Sequence, residues 1–122
     1  MKVMIVEDNA RVRKMIKSFI ADLAEEFSEC ADGEEAVEMY RQALPDVVLM
    51  DIEMRTMDGL TATRNIKAIF PDARVLVVSQ WDSPVLRQRA QAAGAEAFVN
   101  KSDLQPLKLL LLKKDTGQTR SR

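Results

Sequence analysis

The chain predicts an α/β fold, a five-stranded doubly wound parallel sheet with five helices, and three observations predict it. Five short apolar runs alternate with five segments of helical periodicity, each repeat roughly 20 to 25 residues long, and strict alternation of this kind makes neighbouring strands parallel. The central run, Val47-Val48-Leu49-Met50, is apolar without interruption, as suits a strand covered on both faces. Four runs stop at polar groups: Val3 to Val6 at Glu7-Asp8, the central run at Asp51, Val75 to Val78 at Ser79, and Ala97 to Val99 at Asn100-Lys101. In a parallel sheet those ends share one edge, the edge at which doubly wound folds carry their sites.

In chain order, β1 is expected over residues 2 to 6. Asn9 is placed to cap α1, whose apolar positions Val12, Met15, Ile16, Phe19, Ile20 and Leu23 recur at helical spacing. A weaker β2 runs near Phe27 to Cys30. Asp32-Gly33-Glu34-Glu35 has the form of a capping box and opens α2, which should bury Ala36, Val37, Tyr40 and Leu44 before Pro45 ends it. After β3, residues 47 to 50, Asp58-Gly59 starts α3, with Ala62, Ile66 and Ile69 inward. Pro71-Asp72 then turns the chain into β4, Arg74 to Val78. Ser83-Pro84 is a helix start with proline in the first turn, and Gly94 is the left-handed stop of α4. β5 covers Ala97 to Val99. Asp103 is the expected cap of α5, where Pro106 in the first turn sacrifices no helical hydrogen bond. Residues 1 to 114 therefore form one domain. The polar, aperiodic stretch 115 to 122 is expected to be a disordered tail.

Composition narrows the function. The 122 residues carry 18 basic and 19 acidic side chains, a formal net charge of -1, which gives no global reason for direct nucleic-acid binding or for attachment to an anionic membrane. Lys113, Lys114, Arg120 and Arg122 against Asp115 put +3 in the last ten residues, so the body is mildly acidic. Cys30 is the sole cysteine and reads as a core residue. The absence of histidine excludes imidazole-based zinc sites, a Ser-His-Asp triad and a phosphohistidine relay within this chain. No apolar run approaches the roughly 20 residues of a membrane span and no signal-peptide pattern opens the chain, so a soluble cytoplasmic protein is the default.

Glu7, Asp8 and Asp51 would crowd three carboxylates into one crevice if β1 and β3 are neighbours, a repulsion that a hard divalent cation would relieve. Mg2+ fits best, because it binds through one or two carboxylates and completes its shell with water and phosphate oxygens. Lys101 adds a compact cation and Ser79 a hydroxyl donor. A carboxylate nucleophile, a metal, a cation and a hydroxyl are the parts needed for phosphoryl transfer to Asp51, and a carboxylate that is already ionised needs no general base.

These residues resemble the receiver domains of two-component response regulators over essentially the whole chain. Glu7-Asp8 looks like the acidic pair, Asp51 like the phosphoacceptor, Met57-Asp58-Gly59 like the motif after it, Ser79 like the conserved hydroxyl and Lys101 like the conserved lysine. Phe98, three before Lys101, matches the aromatic position that changes rotamer on activation. The resemblance implies a flavodoxin-like strand order 2-1-3-4-5, Mg2+ held by Glu7, Asp8, Asp51 and the backbone carbonyl of Glu53, and catalysis by Asp51, Ser79 and Lys101. It implies as partners a sensor histidine kinase or phosphotransfer protein upstream and a downstream protein or separate output domain, signalled through the α4-β5-α5 face, which could also support a homodimer. Such a domain phosphorylates and dephosphorylates itself without being a turnover enzyme. Three positions depart from the family pattern: Arg55 and Ser102 stand where prolines are usual, the second leaving the usual cis peptide after Lys101 in doubt, and Trp81 is a bulky occupant of a variable position near the phosphate.

Two other readings compete. Asp51-Ile52-Glu53 superficially fits a phosphatase of the haloacid dehalogenase type, although two strands precede the nucleophile here and little room is left for a cap domain. A pseudo-receiver that binds partners without phosphorylation is the other. No output segment follows residue 114, which leaves either a stand-alone receiver or the front piece of a longer protein.

Overall fold

A computed structural model describes residues 1 to 54 and 57 to 113. The expectations for Arg55 and for the tail 115 to 122 lie outside the described residues. Ten elements alternate strictly: β1 Lys2–Val6, α1 Ala10–Phe19, β2 Glu26–Cys30, α2 Ala36–Ala43, β3 Val47–Met50, α3 Gly59–Ile69, β4 Val75–Ser79, α4 Pro84–Ala93, β5 Ala97–Asn100 and α5 Gln105–Leu112. The strands form one parallel sheet in the order β2-β1-β3-β4-β5, so the chain reverses its direction of winding between β1 and β3. Val6 is level with Met50, which brings the residues after β1 and β3 side by side.

Both faces of the sheet are covered, as the unbroken β3 run requires. On one face Ile16 and Ile20 of the α1 region and Leu107 and Leu111 of α5 pack on Val3, Ile5, Leu49 and Leu76. On the other, Ala36 and Tyr40 of α2 with Ala62 and Ile66 of α3 pack on Met4, Val6, Val48 and Met50, while Ala90 of α4 packs on Ile52 and Val77. Cys30 lies buried in this second layer. Among the described residues no helix is long and apolar enough to cross a membrane.

The helix signals act largely as their chemistry dictates. Asn9 Oδ1 accepts from the N–H groups of Arg11 and Val12, Asp58 from Thr61, and Ser83 Oγ from Leu86. Gly94 ends α4 at φ 108°, a conformation closed to most side chains. Two caps are displaced. Asp32 accepts from the Glu35 N–H, but α2 starts only at Ala36, and the Glu35 carboxylate turns toward Cys30 Sγ and does not complete a capping box. Asp103 accepts from the Gln105 N–H across Leu104, which occupies the cap position itself.

Three residues expected in the core are exposed. Met15 lies at the margin of the α1 stripe, one step off the Val12–Ile16–Phe19–Ile20 face. Leu44 takes a left-handed conformation, φ 45°, as the helix ends, and this swings it off the face it would share with Tyr40. Ile69 is the last residue of α3, and the next residue, Phe70, fills the space instead, its ring 4.6 Å from that of Tyr40.

Candidate functional site

The site begins with the backbone at the carboxyl ends of β1 and β3. Glu7 N–H donates to Cys30 O of β2, and Asp51 N–H donates to Val6 O of β1, so each acid is fixed in the sheet before its side chain is placed. The turn into α1 then covers Glu7: the Asn9 N–H donates to Glu7 Oε2 at 3.1 Å, and the Arg13 guanidinium donates to the Glu7 carbonyl at 2.6 Å. Gly59 seals the other side. A Cβ on Gly59 would stand 2.0 Å from the Asp51 carbonyl oxygen, so only glycine lets α3 begin against the backbone of Asp51.

Glu7 and Asp51 are buried, Asp8 is exposed, and one carboxylate oxygen from each lies within 4.8 Å of the others. Lys101 comes across from the end of β5. Its Nζ is 2.8 Å from Glu7 Oε1, a charge contact not aligned as a hydrogen bond, and it donates to Asp51 Oδ1 at 3.3 Å. Asp51 Oδ1 also accepts from the Glu53 N–H at 3.3 Å. Both contacts fall on Oδ1, and Asp51 also lines an open crevice of about 200 Å³ together with Glu7, Asp8, Asn9, Val12, Glu53, Gln80 and Lys101.

The electrostatics follow from this crowding. Burial, then the Glu7 charge, push the Asp51 carboxyl up to about 6, with Lys101 opposing the shift. Burial works against the Lys101 charge as well, but the contacts with Glu7 and Asp51 outweigh it and hold the ammonium above its ordinary value. One cation thus faces two buried carboxylates and an exposed third. This oxygen-only donor set suits a small hard dication that keeps part of its water shell, and Mg2+ fits it.

Ser79 and Phe98 are not in the crevice. Ser79 is fully buried at the end of β4, and its hydroxyl is engaged in a tight turn, donating to Trp81 O at 2.9 Å and accepting from the Trp81 N–H at 3.0 Å. Phe98 packs with Ile52, Val77 and Ala90, and the Arg87 guanidinium carbon sits 4.8 Å from its ring centre. Trp81 is half exposed and its indole N–H donates to the Glu53 carboxylate, linking the loops that follow β3 and β4. After Lys101 the chain continues to Ser102 through a trans peptide, every described peptide bond being trans. Arg13 and Gln80 did not stand out in the sequence: Arg13 reads there as one more exposed charge on α1, and Gln80 has no charge to mark it.

Residues 3 to 111 match the family model described as the response regulator receiver domain. The chemotaxis protein CheY of Thermotoga maritima is 39% identical over 101 residues, 82% of this chain and 84% of that protein, and the CheY of Bacillus subtilis matches to the same extent. Among solved structures, that of the CheX-CheY-BeF3-Mg2+ complex from Borrelia burgdorferi superposes with a TM-score of 0.80 at 31% identity, covering 95% of this chain and 89% of the other.

Proposed function

This chain belongs to the response regulator receiver domain family, and from that membership we propose that it is phosphorylated on Asp51 with Mg2+ as cofactor. The observation that carries the reading is the setting of Asp51: buried at the end of β3, fixed through Oδ1, and flanked by Glu7 and Asp8 on one side and Lys101 on the other. Burial serves the chemistry twice. Burial excludes bulk water from the oxygen that would attack, and it raises the cost of the crowded negative charge that a bound cation would relieve.

In the proposed reaction a lone pair of Asp51 Oδ2 forms the bond to phosphorus while the P–N bond to a kinase histidine, or the P–O bond of acetyl phosphate, breaks and its electron pair leaves with the donor. Glu7, Asp8, Asp51 and the Glu53 carbonyl would hold Mg2+, whose charge would screen the phosphoryl oxygens. Lys101 already sits 3.3 Å from Asp51 and can follow an equatorial oxygen. Ser79 must leave its turn with Trp81 before its hydroxyl can donate to phosphate, and that release is the step that couples modification to Phe98 and the α4-β5-α5 face. A sensor histidine kinase or phosphotransfer protein would supply the phosphoryl group, and a downstream protein partner would read the α4-β5-α5 face.

Intact mass after incubation with acetyl phosphate and Mg2+ tests this. One added phosphoryl group is expected in the wild type and none in Asp51→Asn; equal labelling of the two would remove Asp51 from the role.

A further inference from the structure

Lys101 is held by its neighbours on both sides, and the two holds differ in origin. The peptide before it is fixed by the sheet, Lys101 N–H donating to Ser79 O at 2.8 Å. The peptide after it is fixed by a side chain: Asn100 Oδ1 accepts from the Ser102 N–H at 2.9 Å and from the Ser102 hydroxyl at 2.7 Å. A proline at 102 would have neither donor to give, so this bracket exists only because serine stands there. The other end of the amide is also occupied. Asn100 Nδ2 donates to Asp82 Oδ2 at 3.3 Å, and Asp82 is itself gripped at both oxygens by Arg87, at 2.7 and 2.8 Å. The partners fix which way the amide faces, since the Asp82 carboxylate only accepts and the Ser102 N–H only donates.

We propose that Asn100 is a positioning residue for Lys101: its amide, braced by the Asp82–Arg87 pair, pins the turn after β5 and so keeps the ammonium between Glu7 and Asp51. With both flanking peptides held, the backbone of Lys101 is fixed and its Cβ aims the long side chain into the crevice. Without the bracket the turn is closed only by the Asp103 N–H donating to Asn100 O at 3.0 Å, and the peptide after Lys101 loses its own hydrogen bond, so the flexible four-carbon stem can swing the charge out to solvent. The proposal rests on the acceptor site described above, but it makes a prediction that needs no phosphoryl transfer. Lys101 neutralises two of the carboxylates that would bind Mg2+, so it competes with the metal; loosening the lysine should tighten Mg2+ binding, whereas general damage to the site should weaken it.

The test is isothermal titration of Mg2+ into wild type, Asn100→Ala, Lys101→Ala and the double variant, with acetyl phosphate labelling measured beside it. Asn100→Ala should bind Mg2+ about threefold tighter or more, in the direction of Lys101→Ala, and should add nothing in the Lys101→Ala background. Its labelling rate should fall. Unchanged or weaker Mg2+ binding in Asn100→Ala, or a gain that persists without Lys101, would overturn the proposal. Asn100→Ser, whose side chain is too short to span Ser102 and Asp82, gives the same comparison with a milder truncation if the alanine variant does not fold. Failure of the wild type to label at Asp51 would strike the proposed function and leave the metal titration to decide the role of Asn100.

Discussion

Replacing Asp51 by asparagine should make the metal-free protein more stable, and the size of the gain follows from the site. Asparagine keeps the shape and an Oδ1 that can still accept from the Glu53 N–H and from Lys101, while Lys101 retains Glu7 as its counter-charge. What is lost is a carboxylate whose pKa rises from 3.8 in the unfolded chain to about 6 in the fold. Because the folded value is the higher one, the native state holds the proton more tightly. The favourable contribution is full below about pH 4, is lost as pH rises through about 6, and leaves the ionised group as a standing cost above that. At about 1.4 kcal/mol per pH unit the shift corresponds to about 3 kcal/mol, an upper figure because the charges around Asp51 relax with it. Urea unfolding followed by circular dichroism in EDTA gives the difference directly. The variant should match wild type near pH 4 and exceed it by about 1 to 3 kcal/mol at pH 8, with Mg2+ narrowing the gap by binding the wild-type carboxylate. A variant no more stable than wild type at pH 8 without metal would refute the view that Asp51 is held ionised at a cost by burial and by Glu7.

Mg2+ should raise the melting temperature of the wild type, and the rise should vanish in Asp8→Asn, since the exposed member of the acidic group is the one not already engaged by Lys101. Gly59→Ala should destabilise by about 3 kcal/mol or more, as seen by urea unfolding, because the new methyl group meets backbone that cannot yield. Ser79→Ala should still accept phosphate but show little phosphate-dependent chemical-shift change at Phe98; a full response would take Ser79 out of the switch. Decay of the acyl phosphate should be faster in Trp81→Ala, which removes the ring tied to Glu53, and a tenfold change would correspond to about 1.4 kcal/mol of barrier. Equal or slower decay would leave Trp81 as a contact for a partner.

The strand alternation, the polar strand ends and the placement of Glu7, Asp8, Asp51 and Lys101 around one crevice were legible in the sequence because each depends on local pattern and on a sheet register that buried runs enforce. The strand order was available only through resemblance, since period-2 and period-3.6 patterns carry no information about which strands pair. Met15, Leu44 and Ile69 were misplaced for a shared reason: helical spacing defines a stripe, but its margins and last turn are decided by neighbours such as Phe70 that spacing does not see. The Ser79 hydroxyl was assigned to the site by residue type, and its resting partner, the backbone of Trp81, is a matter of loop geometry. The Trp81–Glu53 and Asn100–Ser102–Asp82 contacts were invisible for the same cause.

The engagement of Ser79 with the Trp81 backbone bears on how quiet the unstimulated protein is. Inorganic phosphate and sulfate, abundant in cells and similar in shape to the modified group, could tip a receiver whose hydroxyl stood ready for any tetrahedral anion. Here such an anion must first break two hydrogen bonds, a requirement worth about 1 to 3 kcal/mol and hence roughly fivefold to 150-fold in occupancy of the responsive state. A covalently held phosphoryl group, fixed beside the hydroxyl and lost only by hydrolysis, can meet that threshold where a passing ion does not. On the proposed reading of Ser79, the small turn would act as a noise filter, lowering by that factor the output that background anions raise.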